Sequence, residues 1–544
     1  MTNKEIGSKF QELAQLMEFH GENPFKIRTY QNVYATLRKL NEEVGTLTEE
    51  QLQSIKGIGS AVAGKIRELE DHGEMRTLRK YQDMTPAGVQ EMLTIRGLGP
   101  KKIRMLYDQL QIESVGELRY AILENRLLEL PGFGVKTQED ILQKIQYFQE
   151  AKGQFRLATL DVVAERLLTR IKAIVPEWEG QPTGDFRRRM QVLSEIAFLV
   201  PTVQLKQIGT WASELFTSYQ QSNGELAGIF DEIYPVRFYG ADDANWGSEL
   251  AKTTGGHMWE SFEMPAQPFQ SEAEVFNALQ LPYITPECRD LRIPDYSTFD
   301  PDALIRASDI KGMIHVHTTY SDGINSLDEM AAAAKSSGYE YLVITDHSKS
   351  AVYANGLTVD RLRNQWDAID AWNRNHAFTI LKGIECDILT DGSMDYDSDV
   401  LREFEVVIAS IHAQLKMDEE KATNRLIRAI EHPNVHILGH LTGRLLLSRA
   451  GYPVNHQKVI DACASNQVSI ELNANPFRLD IDWTWIPYAC DKGVRIAINP
   501  DAHSVRGYED ITYGITAARK AGLKRSECLN VLGKQDFIDY IRSK

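Results

Sequence analysis

The sequence predicts a chain of several domains: an all-helical front, a mixed α+β middle and an α/β barrel at the C-terminal end. Three observations predict it. A G-x-G turn with apolar flanks and a following helical pattern recurs three times within residues 1–150. From residue 311 onward, short apolar strand-like runs alternate with helical stretches. Nine potential metal ligands fall in that last part, most of them closing a strand-like run, which is where such a barrel presents its active site. At 544 residues the chain far exceeds what one core serves.

The front opens with MTNKEIGSKFQELAQLMEF, an amphipathic helix and not a signal peptide. The repeated units are SIKGIGSAVAGKI (54–66), TIRGLGPKKI (94–103) and ELPGFGVKTQEDI (129–141). Thr85-Pro86 marks a helix start, and Ser114 to Glu117 spells a capping box. These units resemble the helix-hairpin-helix motif, which implies that Gly57, Gly59, Gly97, Gly99, Gly132 and Gly134 make tight turns and that the N–H groups opening the next helix can meet a DNA phosphate. Arg96, Lys101, Lys102 and Arg104 near the second unit favour phosphate; the third is less basic and suits packing more than binding.

In the middle, RLATLDVVAERLLTRIKAI reads as a helix, EIAFLV (195–200) as a strand and the region near 209–220 as an amphipathic helix. The polar stretch 291–310, with two prolines, reads as a linker. Beyond it, EYLVIT, FEVVIASI, VHILGH, VSIELNA and VRIAIN are the strand-like runs of a mainly parallel sheet.

The nine ligands are His315, His317, Asp322, His347, Glu385, His412, His440, Asp501 and His503, in the patterns HVHTTYSD, VITDH, GIECD, ASIHA, LGHLTGR and NPDAH. Imidazoles and carboxylates without cysteine suit hard or borderline divalent ions, Mn, Zn or Fe. Nine ligands are too many for one ion and enough for two or three, the arrangement that hydrolyses phosphate esters. His376, His432, His436 and His456 lie outside these patterns and read as structural or exposed. IDWTWIPYA (481–489) reads as a helix packed on the barrel.

A net charge of −16 excludes a general nucleic-acid coat, so any DNA site must be local. No apolar run approaches the roughly 20 residues of a membrane span. Five scattered cysteines without C-x-x-C fit a reducing cytoplasm and argue against disulfides or a zinc ribbon.

With these parts in this order, the chain resembles the bacterial family X DNA polymerases that carry a C-terminal PHP (polymerase and histidinol phosphatase) domain. YITPECRDLR (283–292), GHLTGRLL (439–446), NPFRLD (475–480) and NPDAHS (499–504) carry the likeness, with Leu441 where proline is usual. The resemblance implies a lyase-like helix-hairpin-helix domain (1–80), a fingers-like helix-hairpin-helix region (81–150), a nucleotidyltransferase-like palm and thumb (151–290), the linker (291–310) and a distorted TIM-like PHP barrel (311–544). It also implies that all nine metal positions are filled, with His315, His317, Glu385 and His412 at the chemistry. Arg444 and Arg478 are candidates for clamping a substrate phosphate.

The palm departs from its family. GDFRRRMQVLSEIAFLV (184–200) keeps Gly184, Phe186, Arg187 and Arg188, but Asp185 replaces the serine that would meet a triphosphate. Glu195 and Ala197 stand where two aspartates belong, and Asp242 stands where a lysine belongs. Nucleotidyl transfer needs carboxylates around two Mg ions, and Ala197 has none to give, so a complete Mg site is not expected. Lys65 sits where lyase-competent relatives carry a Schiff-base lysine; the plainer reading is a phosphate contact or a solvated side chain.

The expected function is therefore metal-dependent 3′-to-5′ exonuclease or phosphoesterase action on DNA in repair. One ion is expected at His315, His317, Glu385 and Asp501, and a second bridged by Glu385 with His347 and His412; Asp322, His440 and His503 complete the set. The expected partner is gapped, nicked or 3′-recessed DNA gripped without sequence reading, in the bacterial cytosol, with no membrane. Protein partners are not indicated. A working gap-filling polymerase, a small-molecule phosphomonoester phosphatase and a non-catalytic DNA-binding scaffold stand as alternatives.

Overall fold

The computed structural model describes residues 1, 3–37, 40, 44–95, 97–127, 130–150, 153–222 and 224–544. Arg96 and Glu129 of the repeated units lie outside the described residues. The chain divides into two compact units, Met1–Leu123 with Leu127–Phe148, and Glu124–Arg126 with Gln149–Lys544. No helix among the described residues is long and apolar enough to cross a membrane.

The first unit is helical, from Asn3–Phe19 to Val135–Glu150. Its core is aliphatic, with Ile6, Phe10, Leu13, Val62, Ile66, Leu106 and Leu118 buried together. The three repeats share one turn. Gly57, Gly97 and Gly132 have φ of 98°, 90° and 84°, the left-handed region that favours glycine. The residue between the glycines, Ile58, Leu98 or Phe133, is buried and anchors the turn to the core. Gly59 and Gly99 then cap the helices Ser60–His72 and Pro100–Leu110. The first bonds to the capping carbonyls are made by Val62 and Ile103, so the N–H groups before them, of which Pro100 has none, are those a helix start can offer to an anion.

The second unit begins with the helix Leu157–Ile174, packed on a five-stranded sheet. Its strands are β1 (Gln181–Thr183), β2 (Ile196–Pro201), β3 (Ser218–Ser222), β4 (Glu225–Phe230) and β5 (Tyr234–Ala241). The sheet order is β1-β2-β5-β4-β3, with β2 parallel to β5. The helix expected near 209–220 is not there. Thr202–Thr210 is helical, Ala212–Leu215 makes one further turn, and β3 follows. Residues 291–310 hold short 3₁₀ turns and bury Tyr296, Leu304 and Ile305.

The remainder is a nearly closed barrel of seven parallel strands in sequence order: β6 (Gly312–Val316), β7 (Tyr341–Ile344), β8 (Thr379–Asp387), β9 (Val406–Ser410), β10 (Ile437–Leu438), β11 (Ser469–Asn473) and β12 (Ile496–Asn499). These strands are buried almost throughout, as a sheet covered on both faces requires. Two hydrogen bonds bring the ends together: His317 N–H to the Ala502 carbonyl at 2.9 Å and Ala502 N–H to the His315 carbonyl at 3.2 Å. Buried ion pairs fasten the preceding sheet region to the barrel. Lys520 Nζ lies 2.5 Å from Asp290, which also takes Arg188 at 3.1 Å, and Arg519 reaches Glu287 at 2.8 Å.

Candidate metal centre

All nine ligand candidates converge at the C-terminal ends of the barrel strands. Glu385, on β8, is the hub. Its Oε1 lies 3.3 Å from His315 Nε2, 3.2 Å from His412 Nε2 and 3.0 Å from His440 Nε2. Its Oε2 lies 3.0 Å from His347 Nδ1 and 3.7 Å from His317 Nε2. Asp501 Oδ1 closes one side, 3.4 Å from His315 Nε2 and 3.2 Å from His317 Nε2. Asp322 Oδ2 closes another, 3.4 Å from His347 Nε2 and 3.5 Å from His503 Nε2.

Three overlapping groups, which share His317 and His347, each have the spacing to hold an ion: His315, His317 and Asp501; His347, Glu385 and His412; and His317, Asp322, His347 and His503. His440 lies against Glu385 and not beside Asp322 and His503. The donor chemistry fits divalent metal. His315 Nε2, His317 Nδ1, Asp322 Oδ2, His347 Nδ1, Glu385 Oε2 and His503 Nε2 are buried without a hydrogen-bond partner. One such orphaned atom is costly, and a cluster aimed into one space is what a ligand set looks like.

The backbone is bent to serve this cluster. His315 and Asp501 adopt φ of 63° and 55°, which side-chain-bearing residues rarely occupy. The register of β6 slips between Met313 and Val316, which re-aims His315 inward.

Charge in the pocket is balanced internally. Burial opposes ionisation of Glu385, Asp501 and Asp322, yet the surrounding imidazoles hold all three well below the usual carboxylate range. Burial likewise opposes protonation of His412 and His503; Glu385 and Asp387 lift the first to about 9, and Asp322 chiefly lifts the second to about 10. His317 has more neighbouring imidazole and falls to about 4, mainly through burial.

Several supporting residues were not singled out from sequence. Glu471 on β11 accepts from His315 Nδ1 at 2.6 Å and Asp387 from His412 Nδ1 at 2.5 Å, fixing which ring nitrogen faces the cluster. Asp346 accepts from Thr318 N–H at 2.8 Å and Ser321 N–H at 3.1 Å, which shapes the loop that carries Asp322. The available signal was an acidic residue inside an apolar strand, which can be buried only with a partner.

Arg444 is not brought to the cluster. Its guanidinium binds Asp482 at 2.5 Å, Gln191 at 3.1 Å, the Arg478 carbonyl at 3.0 Å and the Leu479 carbonyl. A part-buried guanidinium must satisfy its donors, and here the adjoining loops take them. Arg478 does reach the site, with Nε 3.7 Å from Asp501 Oδ2.

Among the described residues, the sheet of β1–β5 presents no matching acidic cluster. Arg187 is locked to Glu272, and Arg188 to Asp185 and Asp290. Glu195 binds Arg237 Nε at 3.0 Å, and the same guanidinium also binds Glu225. Ala197 pairs with Arg237 across β2 and β5. Asp242 caps the 3₁₀ turn Asp243–Asn245. Lys65 lies part-buried on the helix after the first G-x-G turn. Lys101 is exposed in the helix after the second turn, and Lys102 lies over the Phe133 ring at 5.4 Å.

Residues 1–75 match the model of a helix-hairpin-helix domain, 89–146 that of a SAM-like helix-hairpin-helix tandem and 314–475 that of the PHP domain. The chain is 32% identical over 571 aligned residues to the DNA polymerase/3′-5′ exonuclease PolX of Bacillus subtilis (strain 168), with all of both chains covered. It is 28% identical over 237 residues to the probable phosphatase YcdX of Escherichia coli O81 (strain ED1a), covering 41% of this chain and 85% of that one. A probable phosphatase of Thermoanaerobacter sp. (strain X514) is 27% identical over 233 residues, 38% of this chain and 91% of that one.

Proposed function

We propose, for a chain that belongs to the bacterial family X DNA polymerases with a C-terminal PHP domain, that its activity is metal-dependent 3′-to-5′ exonuclease or phosphoesterase action on DNA. The domain division 1–80, 81–150, 151–290, 291–310 and 311–544 is part of this reading, with the palm silent. The observation that carries it is Glu385 at the centre of five imidazoles, with orphaned donor atoms on every side.

In this reading His315, His317, Asp501 and Glu385 would hold one ion, Glu385 with His347 and His412 a second, and Asp322, His440 and His503 would complete the set. Divalent ions there, Mn, Zn or Fe, supply Lewis acidity and a water of lowered pKa. Glu471 and Asp387 keep His315 and His412 in the ligating tautomer. Arg478 is poised to orient a phosphate oxygen. Water oxygen bonds to phosphorus and gives up one proton, the P–O3′ bond breaks, and the 3′ oxygen leaves with its pair and takes a proton. The G-x-G turns grip the backbone of gapped, nicked or 3′-recessed DNA through phosphate, without reading sequence. The setting is the bacterial cytosol, and DNA repair is the process such chemistry serves. Schiff-base chemistry at Lys65 is a subsidiary part of the reading, tested by borohydride trapping of an abasic substrate against Lys65→Ala.

The test is a denaturing-gel time course on 5′-labelled primer–template DNA with Mn, with and without dNTPs, beside His412→Ala. Shortening that the variant loses supports the reading; extension that the variant keeps overturns it. A second reading, a small phosphomonoester phosphatase, draws on the likeness of the barrel alone to the probable phosphatases. Turnover of a chromogenic phosphomonoester with no action on DNA would favour it.

A further inference from the structure

Three consecutive residues from much earlier in the chain lie against the metal centre. Glu124–Arg126 packs within the second compact unit. The helix Val115–Leu123 stops just before it, and Asn125 adopts φ of 57°, a left-handed conformation that asparagine tolerates and that turns the chain. Each residue then faces loops at the C-terminal end of the barrel. Asn125 Nδ2 lies 3.5 Å from the Asp322 carbonyl, in the loop after β6. The Arg126 guanidinium lies 4.1 Å over the Tyr353 ring, in the loop after β7. That ring is 6.2 Å from the His347 ring and 6.5 Å from the His412 ring. Glu124 is buried, and the charges that act on it are those of His503 and Asp501 after β12, Arg478 after β11 and the adjacent Arg126. Among the described residues no hydrogen bond takes its carboxylate, so its charge stands open to the ligand set.

The nine ligand candidates are closed off in this arrangement. Each keeps 10% or less of its side-chain surface. A phosphodiester reaches groups so enclosed only if something at the loop ends gives way. What lies there is an anion facing Arg478, the guanidinium read above as orienting a phosphate oxygen. Carboxylate and phosphate carry like charge and compete for one cation. The hold on the three residues is also weak. The Asn125 contact is at the outer limit of a hydrogen bond, and Arg126 Nε is buried without a partner, a cost that the closed arrangement carries. Resting on the phosphoesterase reading above, we propose that Glu124–Arg126 is an internal plug of the metal centre. The Glu124 carboxylate holds the place beside Arg478 and His503 that a substrate phosphate takes, and the three residues withdraw when a phosphodiester enters.

Inorganic phosphate and a small diester test this on the Mn-loaded full chain. Phosphorus NMR relaxation reads how tightly phosphate binds beside Mn and needs no turnover. Nitrophenolate release from bis(p-nitrophenyl) phosphate reads the chemistry. In that reaction water oxygen bonds to phosphorus and gives up a proton, the bond to one aryl oxygen breaks, and nitrophenolate leaves with the pair. Glu124→Gln keeps the shape and removes the charge; Glu124→Ala removes both. Each is expected to tighten phosphate binding about tenfold and to raise kcat/KM on the diester by a similar factor, chiefly through KM. Bound metal, counted by mass spectrometry, is expected to stay the same. Phosphate binding that is unchanged or weaker in both variants overturns the plug. So does loss of bound metal, or turnover present in the parent protein and lost in the variants, since either makes Glu124 part of the working site. Tightened phosphate binding with no turnover by parent or variants overturns the phosphoesterase reading and leaves the plug standing.

Discussion

Arg237 stands directly across from Ala197 in the parallel register of β5 and β2, and its Nε lies 3.0 Å from the Glu195 carboxylate. A cation therefore holds the ground between the two positions that the family pattern gives to acidic residues. Two-metal nucleotidyl transfer needs negative charge at that point. Here the guanidinium repels a divalent ion and engages Glu195. The purified protein is expected to add no dNTP to a gapped primer–template with Mg or Mn. Arg237→Ala is expected to restore nothing, because Ala197 still lacks an oxygen. Extension abolished by Glu195→Ala would show that the sheet of β1–β5 still polymerises.

The two oxygens of Glu385 lie within 3.7 Å of His315 and His317 on one side and His347 and His412 on the other. Glu385→Ala is expected to reduce DNA shortening about a thousandfold or more. Mass-spectrometric metal analysis is expected to find fewer ions bound, and His412→Ala is expected to lose fewer than Glu385→Ala. Full metal content in Glu385→Ala would contradict the hub role.

Asp387 acts one step back from the chemistry. Its carboxylate takes His412 Nδ1 at 2.5 Å and the Ser350 hydroxyl at 2.6 Å, so it holds the ring in place. Asp387→Asn can offer His412 a donor where an acceptor is needed. Metal affinity, read by competition with a chelating dye, is expected to fall about 10–100-fold. An unchanged affinity would mean that packing alone orients the ring.

The clustering of the nine candidates was legible because most sit in a short pattern at a strand end, and a parallel barrel gathers strand ends by construction. The three left-handed glycines were legible because a G-x-G turn has few conformations available. Glu471 was not legible: one acidic residue in an apolar run says nothing of the histidine across the barrel that it serves. Arg237 was hidden for the same reason, since its partners Glu195 and Glu225 come from the residue before β2 and from β4. The segment 209–222 misled because SYQQS carries no apolar alternation. Pairing of β3 with β4 makes it a strand, and Pro201 starts the preceding helix earlier than its pattern suggests.

The G-x-G turns predict how DNA binding responds to salt. If helix openings and lysines meet phosphate, log affinity falls linearly with log salt. Lys101→Ala with Lys102→Ala is expected to flatten that slope by about one to two and to weaken all sequences alike. Fluorescence anisotropy across a salt series measures it. Lys102 also covers the Phe133 ring, so a thermal melt of the same variant separates lost binding from lost packing. A parallel shift of the line with no change of slope would place these lysines outside the DNA contact.

Glu272 carries a prediction about acid stability. Burial by itself would raise its carboxyl, but bidentate Arg187 and the buried Arg289 outweigh burial and bring it to about 2, from an ordinary 4.5. A carboxyl lowered in the folded state stabilises the fold fully above its unfolded value, and that contribution disappears as pH falls through the folded value. The window is therefore from about pH 4.5 down to about 2, and the contribution at stake is about 3 kcal/mol. In Glu272→Gln that loss occurs already at neutral pH, since two buried guanidinium groups lose their shared anion. Urea melts from pH 7 to pH 3 are expected to show the variant less stable at pH 7, with the gap to the parent protein narrowing below pH 4.5. A gap that stays constant to pH 3 would mean that Glu272 contributes packing and not charge.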